Sequence, residues 1–269
     1  MPRHPLPPLG PAWAGSVMGT SLTATMTDIH GATLLSPVFL GIATLIFLSV
    51  TVGWLRHTNP SFTQPYMGPW GMYFMGVLAL GGAWTRITGN WGWQMGTWLV
   101  ATPLALFVCL WQLKKFHGAP TFFWGLSLVP PMVSANSGAQ LVASGVLGGR
   151  WAAAVWVVAV AGFLLGMVTA LPVFARVYLE LIRGRLYLPP GLTGTAWIPL
   201  GIVGQSTAVA ILLSHHPLGA GVSTAWGAGG IAVGYLMFAL GVPAALYAAW
   251  RFWRDILAWP GYYPGWWGS

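Results

Sequence analysis

The chain has 269 residues, of which 56% are hydrophobic and only 5% are charged, and its formal net charge is +8. A water-soluble domain of this size needs far more charge on its surface, so this composition excludes one and indicates a helical membrane protein. The single cysteine excludes a disulfide framework and a cysteine-based zinc site.

Eight apolar stretches are long enough to cross a membrane, and they predict an all-α polytopic membrane protein. In chain order, the predicted transmembrane helices lie at about 12–28, 36–55, 69–88, 92–113, 120–143, 151–173, 193–214 and 226–250. The first is the weakest of them, because its serines and threonines lower its hydropathy. We expect a Pro-rich N-terminal segment, a transmembrane domain and a C-terminal segment at 1–11, 12–250 and 251–269.

The basic residues between these helices predict the orientation of the chain. If the N-terminus lies in the cytoplasm, nine of the eleven Lys and Arg residues fall on the cytoplasmic side, and Arg86 and Arg150 fall on the other side. This asymmetry is typical of multi-pass membrane proteins, and we expect the plasma membrane with both terminal segments in the cytoplasm. Topology and attraction to anionic membrane lipid explain the net positive charge, so no nucleic-acid partner is expected.

The predicted helices alternate in character. The odd-numbered ones are rich in glycine, proline and uncharged polar residues, whereas the second, fourth and sixth are smoother and more apolar. Broken backbone at membrane depth is stable only where it is buried in protein or lines a water-filled cavity. We therefore predict that the odd-numbered helices form an inner layer around a hydrated path, and that the even-numbered helices face lipid.

Proline and tryptophan mark the beginning of each odd-numbered helix, as in Pro11 with Trp13 and Pro69 with Trp70. This regularity predicts a helical hairpin that is repeated along the chain. The same pattern returns at 259–267, which predicts the start of a ninth helix that a C-terminally truncated chain does not contain. An aromatic anchor at the membrane interface is the alternative interpretation of this segment.

Titratable side chains lie at the ends of the predicted helices rather than at membrane depth. This holds for the three acids, Asp28, Glu180 and Asp255, and for the histidines. A proton-coupled carrier normally has a titratable group at depth, and a haem needs inward-facing histidines on two helices. We expect no cofactor, no metal and no enzymatic activity, although a proton-coupled C4-dicarboxylate carrier and a cofactor-bearing membrane enzyme subunit stay open as alternatives.

The inner layer offers hydroxyls, amides, glycine backbone and positive helix ends, which suit an anion that leaves water. A pore without carboxylates lets anions pass, and one without deep basic residues does not hold them tightly. Passage of small anions through a pore is therefore the predicted function.

Five segments, in order along the chain, resemble signatures of the tellurite-resistance/dicarboxylate transporter family, which includes the plant slow-type anion channels. They are 11–20 (PAWAGSVMGT), 70–72 (WGM), 129–135 (VPPMVSA), 204–206 (GQS) and 263–267 (YPGWW). The resemblance implies ten helices arranged as five hairpins around a central pore, in a homotrimer. It also implies passage of C4-dicarboxylate, tellurite, sulfite or small inorganic anions.

The resemblance further implies which residues face the pore. By position, the expected pore-lining residues are Gly15, Gly19, Thr20, Ser134, Ser137, Gln205 and Ser206. The glycines of the first helix would widen the pore because they carry no side chain. Family members place a phenylalanine plug on the ninth helix, which lies beyond the last residue of this sequence, so the activity of this polypeptide depends on whether that helix is required.

Overall fold

A computed structural model of the chain describes residues 8–189, 192–215 and 224–257. These residues are mostly α-helical and contain no strand. The described helices are α1 (Ala14–Ile29), α2 (Ser36–His57), α3 (Gly68–Thr88), α4 (Gly92–Leu113), α5 (Gly125–Leu128), α6 (Pro130–Ala143), α7 (Gly149–Ile182), α8 (Ile198–His215) and α9 (Thr224–Ile256). The all-α fold predicted from the sequence is therefore confirmed.

Three of these helices follow a short 3-10 turn that ends at a tryptophan. The turns are Pro11–Trp13 before α1, Phe122–Trp124 before α5 and Thr193–Trp197 before α8. The fourth proline and tryptophan pair, Pro69 and Trp70, lies in the first turn of α3, where proline is well tolerated because its missing N–H would be unpaired in any case. The predicted fifth span is divided at Val129 into α5 and α6, since the prolines that follow cannot donate backbone hydrogen bonds.

The described helices form two layers. In the inner layer α1 packs against α3, α3 against α6, and α6 against α8. The peripheral helices cover this arc: α2 lies on α1, α4 on α3 and α6, α7 on α6, and α9 on α8. Large apolar side chains point outward from the peripheral helices, among them Leu45, Leu99, Val168 and Phe238, whereas the described α3 and α6 expose none. For α3 and α6 this agrees with the predicted alternation, whereas α1 exposes Leu22, Met26 and Ile29, and α8 exposes Ile211.

Within the described ranges, five helical segments are long and apolar enough to cross a membrane. They are α2, α4, α7, the segment Thr193–His215 and a segment of α9, Gly227–Asp255. The inner elements α1, α3 and α5 with α6 do not meet these criteria, because α1 and α6 are short and α3 contains glycines and polar residues. Shielding by the peripheral layer explains why the inner layer needs less apolar surface.

Glycines let neighbouring helices lie close to α3 and α6. A Cβ atom at Gly71 of α3 would overlap the carbonyl oxygen of Leu126 in α5, and one at Gly162 of α7 would lie 2.7 Å from the carbonyl oxygen of Pro131 in α6. Small residues at these positions let the backbones approach each other, which is how helices in membranes gain packing contacts. These contacts fix the inner arc against its cover.

Hydrogen bonds between helix ends show which ends lie together. The Tyr66 hydroxyl before α3 donates to the carbonyl of Phe123 before α5, and Arg251 near the end of α9 donates to the carbonyl of Leu188 before α8. We call this the basic end, since most of the described basic residues lie there, namely Arg56, Lys114, Lys115, Arg176, Arg183, Arg185, Arg251 and Arg254. Only Arg86 and Arg150 of the described Lys and Arg residues belong to the opposite end.

Helix α7 extends nine residues past the predicted end at 173 and finishes at Ile182. Pro172 lies inside the helix but does not end it, because a single lost backbone bond is tolerated where neighbouring helices support the backbone. The first seven residues of the N-terminal segment and the repeated proline and tryptophan pattern at 259–267 lie outside the described residues.

Candidate functional site

A cavity of about 480 Å³ lies inside the arc of inner helices, toward the end opposite the basic end. Helices α1, α3 and α6 form most of its wall, and α4 and α8 each contribute a glutamine. Gly89 and Trp91, in the turn between α3 and α4, lie at its mouth. The cavity lies between the inner helices, where the sequence predicts a hydrated path.

The α1 side of the cavity is a stripe of side chains at helical spacing. Met18, Leu22 and Thr25 line the cavity and are followed one turn later by Ile29. Residues three or four apart share a helix face, so Gly15 and Gly19 continue this stripe toward the basic end. Gly15 is buried and Gly19 is half-buried. Two expected pore residues of α1 thus share the face of the helix that forms the cavity wall.

A buried carboxamide on α4 organises the α6 side of the cavity. Gln94 is only 2% exposed, and its Nε2 lies 3.0 Å from the carbonyl oxygen of Ser137, 3.2 Å from Ser137 Oγ and 3.0 Å from Gln140 Oε1. Because Gln94 holds the oxygen of the Gln140 amide, the Nε2 group of Gln140 is left accessible, and Gln140 lines the cavity. An amide N–H donor is thereby presented at the wall.

A second amide pair joins α6 to α8. Asn136 Nδ2 donates a hydrogen bond of 2.6 Å to Gln205 Oε1, and both residues line the cavity. The Oδ1 atom of Asn136 is enclosed and has no hydrogen-bond partner among the described residues. Gln205 Nε2 has no partner in the described part of the chain either, but it stays accessible. At this wall the acceptor without a partner, Asn136 Oδ1, is buried, and the donor without a partner, Gln205 Nε2, is accessible.

One charged side chain lines the cavity, and it is positive. Arg86 lies near the end of α3, with its Nε atom 2.7 Å from Oδ2 of Asp28 on α1, and its side chain is 53% exposed. The terminal N–H groups of this guanidinium have no partner among the described residues. No carboxylate belongs to the described lining, because Asp28 lies beside Arg86 rather than in the wall. Asp28 offsets part of the Arg86 charge, but the member of this ion pair that belongs to the lining is the positive one.

The other expected pore residues are buried between helices. Ser134 Oγ donates a hydrogen bond of 2.6 Å to Thr102 Oγ1 of α4, and Ser206 Oγ donates to the carbonyl of Val203 in its own helix. Thr20 is buried on the face of α1 opposite the cavity wall. Of the seven residues, Ser137 and Gln205 line the cavity, Gly15 and Gly19 share the face of its α1 wall, and Thr20, Ser134 and Ser206 do not line it.

Six polar residues that line the cavity were not among the expected pore residues: Thr25, Thr85, Arg86, Gln94, Asn136 and Gln140. A signal for Asn136 and Gln140 was present in the sequence, since 133, 136, 137 and 140 share one helix face. Gln94 was hidden because its helix is smooth and apolar, although a carboxamide in such a helix indicates an interior partner.

The model of the SLAC1 family, described as a voltage-dependent anion channel, matches residues 8–269 of the chain. No curated protein and no solved structure gives a significant match. The family match covers all four inner helices and the cavity between them, and it agrees with the resemblance seen in the five sequence segments. The chain therefore belongs to the SLAC1 family of C4-dicarboxylate and tellurite-resistance anion channels.

Proposed function

We propose that this protein conducts small anions across the membrane through the cavity enclosed by α1, α3, α6 and α8. Membership of the family indicates anion transport in general. The observation that supports the specific path is the composition of the cavity wall: accessible amide donors from Gln140 and Gln205, one positive charge from Arg86, and no carboxylate in the described lining.

The energetics of this wall suit conduction rather than tight binding. An anion that leaves water loses its hydration shell and needs replacement donors, which the carboxamides provide without a fixed charge. The charge of Arg86 raises the local concentration of anions at the mouth. An anion would thus enter readily and leave again, as repeated turnover requires.

Beyond the cavity, the path continues toward the basic end along Gly15 and Gly19 of α1. The missing side chains at these positions would widen the path, and helix N-termini at the basic end supply positive potential. We further propose that 12–250 form the transmembrane domain, that the basic end and both terminal segments are cytoplasmic in a plasma-membrane protein, and that the protein is a homotrimer. The arginines and lysines of the basic end support this orientation.

A cavity of about 480 Å³ is within the size range of small-molecule sites, so it accommodates a C4-dicarboxylate or an oxyanion as well as chloride. Selectivity depends on the width of the path and the strength of its donors. The proposal is therefore made for the class of small anions, with C4-dicarboxylate, tellurite, sulfite, chloride and nitrate as the anions to be compared.

Flux measurements in liposomes test the proposal. The purified protein should dissipate gradients of chloride, nitrate or succinate when no proton gradient is imposed. Flux that strictly requires a proton gradient would instead support the proton-coupled carrier, and no flux of any of these anions would contradict both.

The variant Gln205→Glu tests whether the anions use this cavity, because it changes one amide into a carboxylate of the same shape. Anion flux at neutral pH should fall by about tenfold or more, since a negative charge in the wall repels the permeating ion. Thr23→Ala on the exposed face of α1, whose hydroxyl bonds only the carbonyl of Gly19, is the matched control and should leave flux within about twofold. Unchanged flux in Gln205→Glu would contradict the proposed path.

A further inference from the structure

Two cavities adjoin the C-terminal end of α7 at the basic end. The first, of about 670 Å³, lies between the segment 118–124 and α7, and Arg176, Glu180 and Arg185 belong to its lining. The second, of about 620 Å³, lies between the ends of α7 and α9 and is mostly apolar. Leu186 lines both cavities, so they lie on two sides of one residue.

The first cavity is the more polar of the two, and its charged lining is net positive, with two arginines and one glutamate. Arg176 and Arg185 have no ion-pair or hydrogen-bond partner among the described residues. The carboxylate of Glu180 lies 3.9 Å from Arg183, so part of its charge is offset by a third arginine. Guanidinium groups are the side chains best suited to bind a phosphate, because their planar fork donates two parallel hydrogen bonds. This cavity is therefore suited to a phosphate group.

The second cavity is an apolar groove on the peripheral face of the molecule. Ile182 of α7 is 82% exposed, and Leu240 and Trp250 of α9 are 47% and 52% exposed. Tryptophan and tyrosine at the end of a spanning helix typically mark the boundary between hydrocarbon and headgroups. Arg251 holds the segment after α7 against α9 through its 2.7 Å bond to the carbonyl of Leu188. The groove thus runs from the headgroup level toward the hydrocarbon.

We propose that these two cavities form one binding site for an anionic phospholipid. The phosphate binds Arg176 and Arg185, and one acyl chain lies in the groove between α7 and α9. A soluble phosphate would use only the polar cavity, whereas the adjoining exposed groove fits a molecule that is charged at one end and apolar at the other. Two arginines without partners favour a lipid with net negative charge over a zwitterionic one. This site is separate from the anion path and does not depend on it.

Lipid titration of the detergent-solubilised protein tests this proposal, with dioleoylphosphatidylglycerol and dioleoylphosphatidylcholine as probes and native mass spectrometry as the readout. The wild-type protein should bind phosphatidylglycerol about tenfold more tightly. In the double variant Arg176→Gln with Arg185→Gln, this preference should fall to within about twofold. Arg150→Gln, at the opposite end beside Trp151, is the matched control and should keep the preference.

The acyl part is tested separately. Leu240→Ser should weaken binding of both lipids, whereas Leu99→Ser, which changes another exposed leucine on α4 outside the groove, should not. The water-soluble headgroup glycerophosphoglycerol should compete poorly with the intact lipid.

Three results would overturn the lipid site: equal affinity of the wild-type protein for both lipids, a preference that the double variant retains, or full competition by the soluble headgroup. The last result would show a site for a soluble phosphate compound. The first and last are measured on the wild-type protein, so they decide the question even if the double variant does not fold.

Discussion

Asn136 on α6 donates a 2.6 Å hydrogen bond from Nδ2 to Oε1 of Gln205 on α8, and this bond joins two inner helices at the wall of the cavity. It fixes the orientation of the Gln205 carboxamide, so that its nitrogen rather than its oxygen stays accessible. The polarity of the wall therefore depends on a contact between two side chains and not on composition alone.

Replacing Asn136 by leucine removes this orientation. In Asn136→Leu, the Gln205 amide can rotate and present its oxygen to the anion, so we expect flux to fall about three- to tenfold, the loss of one hydrogen bond of about 1 kcal/mol. Chloride flux in liposomes is the measurement. Ser214→Ala on α8, whose hydroxyl bonds only within its own helix turn and to the neighbouring His215, should change flux by less than about twofold. Equal flux in both variants would contradict a role for the amide pair.

Replacing either member of the ion pair between Arg86 and Asp28 should change anion flux, and the two replacements should act in opposite directions. Arg86→Gln should lower anion flux because it removes the charge that attracts anions, and Asp28→Asn should raise it because the guanidinium is then unpaired. Both effects should shrink as salt rises from about 0.1 M to 1 M, since the screening length falls from about 10 Å to 3 Å. Flux is measured at both ionic strengths. A change of the same sign in both variants would contradict this electrostatic role.

The same two variants should differ little from the wild-type protein in stability. Arg86 is more than half exposed, and ion pairs between exposed side chains contribute about 1 kcal/mol or less. The midpoint of thermal unfolding in detergent checks this expectation. An unchanged midpoint would show that a change of flux in these variants comes from the altered charge and not from misfolding.

The Gln94 carboxamide should matter more for stability than any other side chain of the cavity wall. Gln94→Leu leaves the oxygens of Ser137 and Gln140 without their donor, which we expect to cost about 2–4 kcal/mol. The thermal unfolding midpoint should fall clearly. Met95→Leu, at the next position of α4 and similar in volume, should cost less than about 1.5 kcal/mol. An unchanged midpoint in Gln94→Leu would show that the three contacts contribute little.

Two glycines of α3 provide a matched pair. In Gly71→Ala the new methyl group would overlap the backbone carbonyl of Leu126, so α5 must shift and we expect a loss of more than about 2 kcal/mol. Near Gly82 no heavy atom lies within 4 Å of the added Cβ, so Gly82→Ala should stabilise α3 by up to about 1 kcal/mol.

In Gly82→Ala, anion flux should fall although stability rises. The methyl group of Gly82→Ala occupies part of the cavity, so the variant should be stable and yet conduct more slowly. Thermal unfolding and flux measured on the same samples separate these effects. A stable Gly82→Ala protein with unchanged flux would show that the path does not pass this position.

Much of the fold could be predicted from the sequence, because few backbone structures are stable across a lipid bilayer. Apolar stretches of a fixed length gave helix ends within one or two residues for α2, α3 and α4, and the pair Pro130 and Pro131 marked the break in the fifth span. The end of α7 could not be predicted, since whether Pro172 ends a helix depends on tertiary support rather than on the proline itself.

The cavity was less predictable than the fold. Gln205 could be selected because it lies in a segment with a family signature, and Ser137 because it follows such a segment on an inner helix. Gln94 could not be selected, because its role in the wall depends on an oxygen atom of Gln140 on another helix. No local sequence pattern reveals that contact. From the sequence, Arg86 was interpreted only as a marker of topology. In the structure it lies on the same face of α3 as the other lining residues and belongs to the lining of the cavity.

The described wall of the cavity is built of carboxamides, hydroxyls, apolar side chains and one guanidinium, and it contains no carboxylate, imidazole or thiol, the groups that most often change their charge near neutral pH. An ion crossing there meets the same field in acidic and in alkaline surroundings. The concentration difference and the voltage across the bilayer would then set the rate of passage, and acidification of the medium by itself would neither close this route nor open it.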